Sequence, residues 1–146
     1  MQYYEFRAMS TGILLAAEGT NEAVETGFQQ TRTFIEASER RFTRFSPDSE
    51  LSQLNRSAGR WFQASAEMFE VISLAARFHE QTLGLFDPSM LNALERAGYD
   101  RSIEIVQAQD APAARDTDPF AEPAFSEIEF DELGQRIRLP RGLRID

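Results

Sequence analysis

The stretch FTRFSPDSELSQLN, residues 42–55, combines aromatic residues with a run of small polar ones. Pro47 cannot continue a helix, so a helix that arrives from the N-terminal side should end near Phe45. Asp48 and Ser49 can bond nearby backbone amides, which fits a simple connection between two helices. The same arrangement leaves Phe45 beside a cluster of polar groups, where its ring could stack on a flat heterocycle. These residues alone leave both interpretations open.

A second stretch, TLGLFDPSM at residues 82–90, also allows two interpretations. Gly84 lets the backbone approach a ligand closely, and Asp87 followed by Pro88 is a common way to begin a helix. A glycine that ends one helix and an Asp-Pro pair that begins the next would explain this pattern without a ligand. The functional alternative is that the backbone of Leu85 and Phe86 recognises the edge of a ligand while Asp87 fixes the turn.

The other residue types do not form a familiar catalytic set. The chain has no cysteine, which excludes disulfides, zinc–thiolate sites and thiol nucleophiles. Its single histidine, His79, has no second histidine with which to share a metal ion. Neither a GxGxxG nor a Walker phosphate-binding sequence is present. The carboxylates are numerous but scattered, so the sequence predicts no catalytic residue and no metal ligand.

The net charge and the N-terminus limit the partners and the location. A formal charge of -9 argues against a nucleic-acid partner, which would require a basic face. The opening residues MQYYEFRAMST lack the basic and apolar segments of a signal peptide and the cysteine of a lipobox. No apolar run is long enough to span a membrane. As written, the chain is expected to be cytoplasmic, whereas a trimmed leader would allow an exported location.

The spacing of apolar residues predicts an α+β fold. Two longer helices are expected, one from Asn21 to about Phe45 and one capped by Ser65 and stopped by Gly84. A shorter helix is expected at 91–97. Strands are predicted at 3–9, 13–17, 128–130 and 137–139, and from residue 143 onward. We expect one antiparallel sheet that contains both hairpins, with the two longer helices packed on it.

The length and one unusual segment define the predicted domain organisation. The 146 residues correspond to one ordinary domain. Within it, AQDAPAARDTDPFAEP at residues 108–123 is rich in proline, small residues and acids, which predicts a flexible loop. A strand that stops at Asp146 would end unpaired. We therefore expect residues 1–146 to be the N-terminal portion of a domain that is incomplete at its C-terminus.

Five short stretches, taken in order, resemble the ApbE family of FAD:protein FMN transferases. They are AMSTG, FTRFSPDSELSQLN, TLGLFDPS, AGYDRS and the final RID, and they extend over nearly the whole chain. The family patterns they match are M-G-T, S-E-L-S-x-L-N, T-G-G-x-F-D-P, G-Y-D and the start of D-L-G-G-x-x-K-G. The resemblance implies an ApbE-like fold. It also implies magnesium-dependent transfer of FMN from FAD to a threonine or serine hydroxyl of an acceptor protein, with release of AMP.

The resemblance further implies which residues bind FAD. Met9 corresponds to the methionine that lies against the flavin. Phe45 corresponds to the aromatic residue, often tyrosine, that meets the flavin ring. Asp146 corresponds to the aspartate that opens the last motif, another FAD contact. The segment that holds the adenosine half corresponds to Leu85, Phe86 and Asp87.

The chain departs from the family pattern at several points. Ser10 replaces the usual glycine of M-G-T, and Leu83 replaces the first glycine of T-G-G, which predicts a tighter or shifted turn. The magnesium ligands of the family follow the position of Asp146 and are not in the chain, so we expect little or no transferase activity from these residues alone. The alternatives are a non-catalytic flavin-binding or interaction module, an FAD pyrophosphatase-type relative, and a chain that folds by pairing as a homo-oligomer.

Overall fold

The computed structural model describes residues 1–96 and 123–146. The chain divides into two compact units, Met1–Phe42 and Thr43–Asp146, and each contains one long helix and one antiparallel sheet. The predicted α+β class is therefore confirmed. The expectation of a single sheet is wrong, because in the described residues the first two strands pair with each other and the three later strands form a separate sheet.

The first unit begins with a tight hairpin. Strands β1 (Gln2–Ala8) and β2 (Thr11–Ala17) pair antiparallel along their full length. Met9 and Ser10 form the connecting turn, with φ angles of 51° and 56°. Two successive positive φ angles are typical of the two-residue turns whose twist matches that of the flanking strands. Met9, predicted as a strand residue, therefore lies in the turn.

Helix α1 (Asn21–Phe42) packs on this hairpin. The ring of buried Phe28 stacks against Tyr4 of β1, with centroids 5.8 Å apart. Arg32 Nη1, one turn further along, donates a 2.8 Å hydrogen bond to the Tyr4 hydroxyl. One apolar ring contact and one polar contact thus join the same strand to the same helix face.

Helix α1 ends three residues earlier than predicted, at Phe42 instead of Phe45. The hydroxyl of Thr43 accepts a 3.2 Å hydrogen bond from the Phe45 backbone N–H. Such a local side-chain bond competes with the helical pattern. The helix therefore ends beside Thr43, four residues before Pro47.

The described residues of the second unit form three helices and two short helical turns. The helices are α2 (Glu50–Arg56), α3 (Ala66–Gln81) and α4 (Leu91–Arg96). The 3-10 turns are Pro88–Met90 and Phe125–Glu127. The end of the short helix predicted at 91–97 lies outside the described residues.

Two serines begin the first two of these helices. Ser49 Oγ accepts from the Ser52 N–H at 3.0 Å, and Ser65 caps α3 as predicted. The Glu50 carboxylate accepts from both the N–H and the hydroxyl of Ser65, at 2.6 and 2.8 Å. This contact ties the start of α2 to the start of α3.

The second sheet has three short strands in the order β3-β5-β4, all antiparallel. They are β3 (Phe62–Gln63), β4 (Glu129–Asp131) and β5 (Arg136–Arg138). The β4–β5 hairpin was predicted, but β3 was not, because two residues carry no readable periodicity. The ring of Phe69 in α3 contacts the ring of Phe130 in β4 edge to face. Among the described residues of this unit, the largest fully buried side chains are Leu54, Met68, Leu91, Phe125, Ile137, Leu139, Leu143 and Ile145.

The strand predicted from residue 143 does not form. The backbone N–H of Ile145 donates to Asn55 Oδ1, and its C=O accepts from Asn55 Nδ2, both at 2.9 Å. The side-chain amide of Asn55 thus takes the place that a neighbouring strand would occupy. The apolar alternation at 143–145 still reports burial, since Leu143 and Ile145 are in the core.

Helix α3 ends in a left-handed turn. Gly84 has a φ of 82°, and its N–H donates to the C=O of His79 at 2.8 Å. Leu83 also has a positive φ, of 53°. Leu83 is 94% exposed, so it packs little against the rest of the unit. The position where the family pattern has glycine is thus one where this backbone adopts a glycine-favoured conformation.

The loop predicted at 108–123 lies, apart from Pro123, outside the described residues. Among the described helices, none combines the length and the apolar character needed to cross a membrane.

Candidate functional site

The candidate site is built around the loop between α1 and α2. Phe45 lies in this loop with 52% of its surface exposed. The guanidinium of Arg44 lies over its ring, with Cζ 4.6 Å from the ring centroid. At this distance a cation and a ring attract each other electrostatically. The aromatic residue that the sequence predicts to meet a ligand is thus held by its own neighbour in the chain.

Asp146 lies at the same place. Its Oδ2 is 3.5 Å from Arg44 Nε, in an ion pair whose arginine side chain is only 13% exposed. Its position follows from the preceding residue, since Asn55 holds both backbone polar groups of Ile145. Two of the predicted ligand residues, Phe45 and Asp146, therefore contact a single guanidinium.

A backbone hydrogen bond connects Asp146 to the segment that contains Asp87. The N–H of Asp146 donates to the C=O of Pro88 at 3.0 Å. Asp87 Oδ1 accepts from the N–H and the hydroxyl of Ser89, at 2.9 and 2.6 Å, and so caps the 3-10 turn. Asp87 therefore fixes the turn, as the sequence predicted.

The two residues before Asp87 lie on an exposed turn. Leu85 is 92% exposed and Phe86 is 44% exposed. The N–H of Phe86 donates to Thr82 Oγ1 at 3.0 Å, and its ring meets Phe78 edge-on. Leu85 and Phe86 directly precede Asp87 in the chain, but they do not line the cavity beside Phe45 that is described next.

A cavity of about 540 Å³ opens beside Phe45. Such a volume lies within the usual range for pockets that hold small organic ligands. An aromatic ring, three arginines and two polar side chains contribute to its wall: Phe45, Arg44, Arg56, Arg144, Ser52 and Asn55. Arg144 is paired bidentately with Glu95 at 2.7 Å. Arg44 and Arg144 are each paired with a carboxylate, so the wall offers an aromatic ring and guanidinium N–H groups with most of their positive charge balanced.

Within the described residues, Arg44 Nη1 is the one buried side-chain nitrogen or oxygen without a hydrogen-bond partner. Buried polar atoms of this kind are rare in folded proteins, because each one has lost its water without gaining a partner. A group that would complete the hydrogen bonds of Arg44 must be an acceptor.

Met9 belongs to the other compact unit, Met1–Phe42. It lies in the hairpin turn, is 50% exposed, and its N–H donates to Glu39 Oε1 at 2.9 Å. The structure gives Met9 a defined and accessible position.

The sequence prediction missed Arg44 and Asn55 as site residues. Arg44 had a local signal, because it directly precedes the aromatic residue. Asn55 ends the motif FTRFSPDSELSQLN, but its partner Ile145 is separated from it by 90 residues. No spacing rule predicts a contact over that distance.

The family of the chain follows from sequence comparison. The ApbE family model matches residues 8–146, nearly the entire chain. The chain belongs to the ApbE family. No curated protein sequence matches it.

Solved structures of ApbE proteins share the fold. The ApbE protein from Thermotoga maritima aligns with a TM-score of 0.77 at 22% identity, over 99% of this chain and 47% of its own. The flavinyl transferase ApbE from Pseudomonas stutzeri, in its apo form, aligns with a TM-score of 0.71 at 16% identity, over 99% of this chain and 46% of its own. The chain thus spans about half the length of these ApbE structures.

The magnesium ion implied by the family resemblance can be tested against the side chains. Residues 1–96 and 123–146 contain no group of three or more histidine, cysteine, aspartate or glutamate side chains placed to hold a metal ion. Asp146 is instead paired with Arg44. The described residues therefore do not by themselves fit a magnesium ion.

Proposed function

We propose that the chain forms part of an FAD site and that the complete protein transfers FMN from FAD to a threonine or serine hydroxyl of an acceptor protein. The observation that carries this proposal is the arrangement of Phe45 and Asp146 on one guanidinium, beside a cavity of about 540 Å³. Membership of the ApbE family supports the same proposal.

The chemistry of FAD fits the wall of this cavity. FAD has a flat, electron-poor ring system, which stacks well on an aromatic face such as that of Phe45. It also carries a pyrophosphate, whose negative charge is favoured beside Arg56 and Arg144. The Asp146 carboxylate offers an acceptor to the N–H or hydroxyl groups of the dinucleotide.

In the proposed reaction an acceptor hydroxyl attacks the phosphorus atom of the FMN half. The hydroxyl loses its proton, the new O–P bond forms, and the pyrophosphate bond breaks with its electron pair leaving on AMP. Such phosphoryl transfers depend mainly on positioning and on stabilisation of charge. The part we assign to Phe45 and Asp146 is to bind and orient the flavin half.

These residues alone should transfer little or no FMN. The test is to incubate the chain with FAD, magnesium and a threonine-containing acceptor protein, and to look for covalent flavin fluorescence in a denaturing gel. A fluorescent acceptor band that requires magnesium would contradict this expectation. The control is a full-length ApbE transferase, which should label the same acceptor.

The same reactions separate the alternatives. Free FMN and AMP without labelled acceptor would indicate an FAD pyrophosphatase-type relative. FAD binding without either product would be the behaviour of a non-catalytic flavin-binding module. An absence of FAD binding would contradict the proposed function in every form.

A further inference from the structure

The guanidinium of Arg44 contacts both residues that we place in the flavin site of the second unit. Its Cζ is 4.6 Å from the centre of the Phe45 ring, and its Nε is 3.5 Å from Asp146 Oδ2. The arginine side chain is 13% exposed, whereas Phe45 is 52% exposed and the Asp146 side chain 35%. A mostly buried cation therefore supports two more accessible groups.

The backbone on which Arg44 sits is fixed on both sides. Its C=O accepts from the hydroxyl of Ser52 in α2 at 3.4 Å. The next N–H, that of Phe45, donates to Thr43 Oγ1 at 3.2 Å. Because the loop is held in this way, the direction of the Arg44 side chain is set before any ligand arrives. Such preorganisation reduces the cost of ordering a site on binding.

The unpartnered Nη1 of Arg44 gives the second argument. This atom is buried and has no hydrogen-bond partner within residues 1–96 and 123–146. Burying a charged donor without a partner is unfavourable, so an arginine at this position needs compensating contacts, and it has them with Phe45 and Asp146.

We propose that Arg44 is a positioning residue of the flavin site, which holds Phe45 and Asp146 in the arrangement that binds FAD. This inference rests on the proposed function. It extends that function by a residue to which the family resemblance assigns no role.

The test is a double-mutant cycle on FAD affinity, measured by flavin fluorescence for the wild-type chain, Arg44→Ala, Phe45→Ala and the double variant. Loss of a cation–π contact and an ion pair should weaken FAD binding by roughly tenfold in Arg44→Ala. Because Arg44 acts partly through Phe45, the loss of affinity in the double variant should be smaller than the sum of the two single losses. Fully additive losses would overturn the proposal, as would wild-type affinity in Arg44→Ala.

Arg44→Lys tests the role of the arginine fork and protects against a folding artefact. Lysine keeps the positive charge, but it lacks the planar guanidinium that lies over the Phe45 ring while its Nε pairs with Asp146. Arg44→Lys should therefore recover only part of the affinity lost in Arg44→Ala, with a thermal unfolding midpoint close to that of the wild type. Full recovery would overturn the role given to the planar guanidinium of Arg44. If Arg44→Ala does not fold, Arg44→Lys replaces it in the cycle.

The outcomes for the wild-type chain separate this inference from the proposed function. If the wild type does not bind FAD, the proposed function fails. If it binds FAD and the Arg44 variants bind equally well, only the role of Arg44 fails.

Discussion

The side-chain amide of Asn55 makes two hydrogen bonds to the backbone of Ile145, each of 2.9 Å. An amide side chain has the same donor and acceptor as a peptide group, so it can pair with an extended residue as a strand would. The consequence is positional, because Ile145 immediately precedes Asp146 and thereby fixes where that carboxylate lies.

Replacing Asn55 by alanine should therefore lower the free energy of unfolding by about 2–3 kcal/mol, since two bonds are lost and the partly buried groups of Ile145 remain unpaired. Urea denaturation measures this change. The matched control is Gln53→Ala, which removes one exposed bond to the C=O of Asp48 and should cost less than about 1 kcal/mol. Equal effects of the two substitutions would contradict the role given to Asn55.

Leu83 gives a second prediction for a single residue. Its φ of 53° is unfavourable for leucine, and its side chain is 94% exposed, so little packing would be lost by removing it. Leu83→Gly should raise the free energy of unfolding by about 0.5–1 kcal/mol, because relief of strain exceeds the entropy that glycine adds to the unfolded chain.

The control for Leu83→Gly is Leu85→Gly. Leu85 is 92% exposed but is not among the residues with positive φ, so the same substitution should be destabilising there. Thermal unfolding of the two variants measures both stability changes. A stability loss in Leu83→Gly as large as that in Leu85→Gly would show that the turn is not strained at Leu83.

At the scale of elements, the β4–β5 hairpin is joined by an ion pair across its turn. Arg136 Nε donates to Asp131 Oδ2 at 2.8 Å, and the N–H of Gly134 donates to the other oxygen at 3.0 Å. The hydrogen bond from Arg136, followed by that from Gly134, lowers the pKa of Asp131 below its ordinary value of 3.8. The folded hairpin therefore favours the ionised carboxylate.

This lowered pKa has a defined consequence for acid stability. Since the pKa is lower in the folded state, the contribution of Asp131 is present above the ordinary value of 3.8 and is lost as the pH falls through the folded-state value. Asp131→Asn should therefore lose less stability than the wild type as the pH is lowered from above 3.8 through the folded-state pKa of Asp131. Denaturation at a series of pH values tests this, with the exposed neighbour Glu132→Gln as the control. An unchanged acid profile in Asp131→Asn would contradict the lowered pKa.

Helix α3 shows how much the sequence could predict at this scale. The cap at Ser65 is a local signal and is found in the structure, where Met68 and Ile72 are the buried residues of the helix. The end of α1 was misplaced because the Thr43 hydroxyl bonds to the N–H of Phe45, a local choice that apolar periodicity does not report. Strand β3 was missed because a two-residue strand is defined by its neighbour β5 and not by its own residues.

At the scale of the whole molecule, the sequence could not predict the pairing of strands. Alternation shows that a segment is a strand but not which strand it joins, and so the two hairpins were placed in one sheet instead of two. The same limit applies to the site. The sequence pointed to Phe45 and Asp146, and Phe45 is the chain neighbour of Arg44, but the contact between Arg44 and Asp146 depends on the tertiary fold.

The family match over residues 8–146 and the shared fold make a flavin ligand the central expectation for the molecule. Stacking of a flat ring on one aromatic residue is worth about 1–3 kcal/mol. Phe45 is the exposed ring beside the cavity of about 540 Å³. Phe34, a more exposed phenylalanine at 70%, lies in α1 and has no predicted ligand role.

The most direct test is a flavin-fluorescence titration of the wild-type chain, Phe45→Ala and Phe34→Ala with FAD, with and without magnesium. We predict saturable binding by the wild type and by Phe34→Ala, affinity reduced about tenfold or more in Phe45→Ala, and no effect of magnesium. Absence of saturable binding by the wild type, or equal affinity in Phe45→Ala, would contradict the flavin site proposed around Phe45.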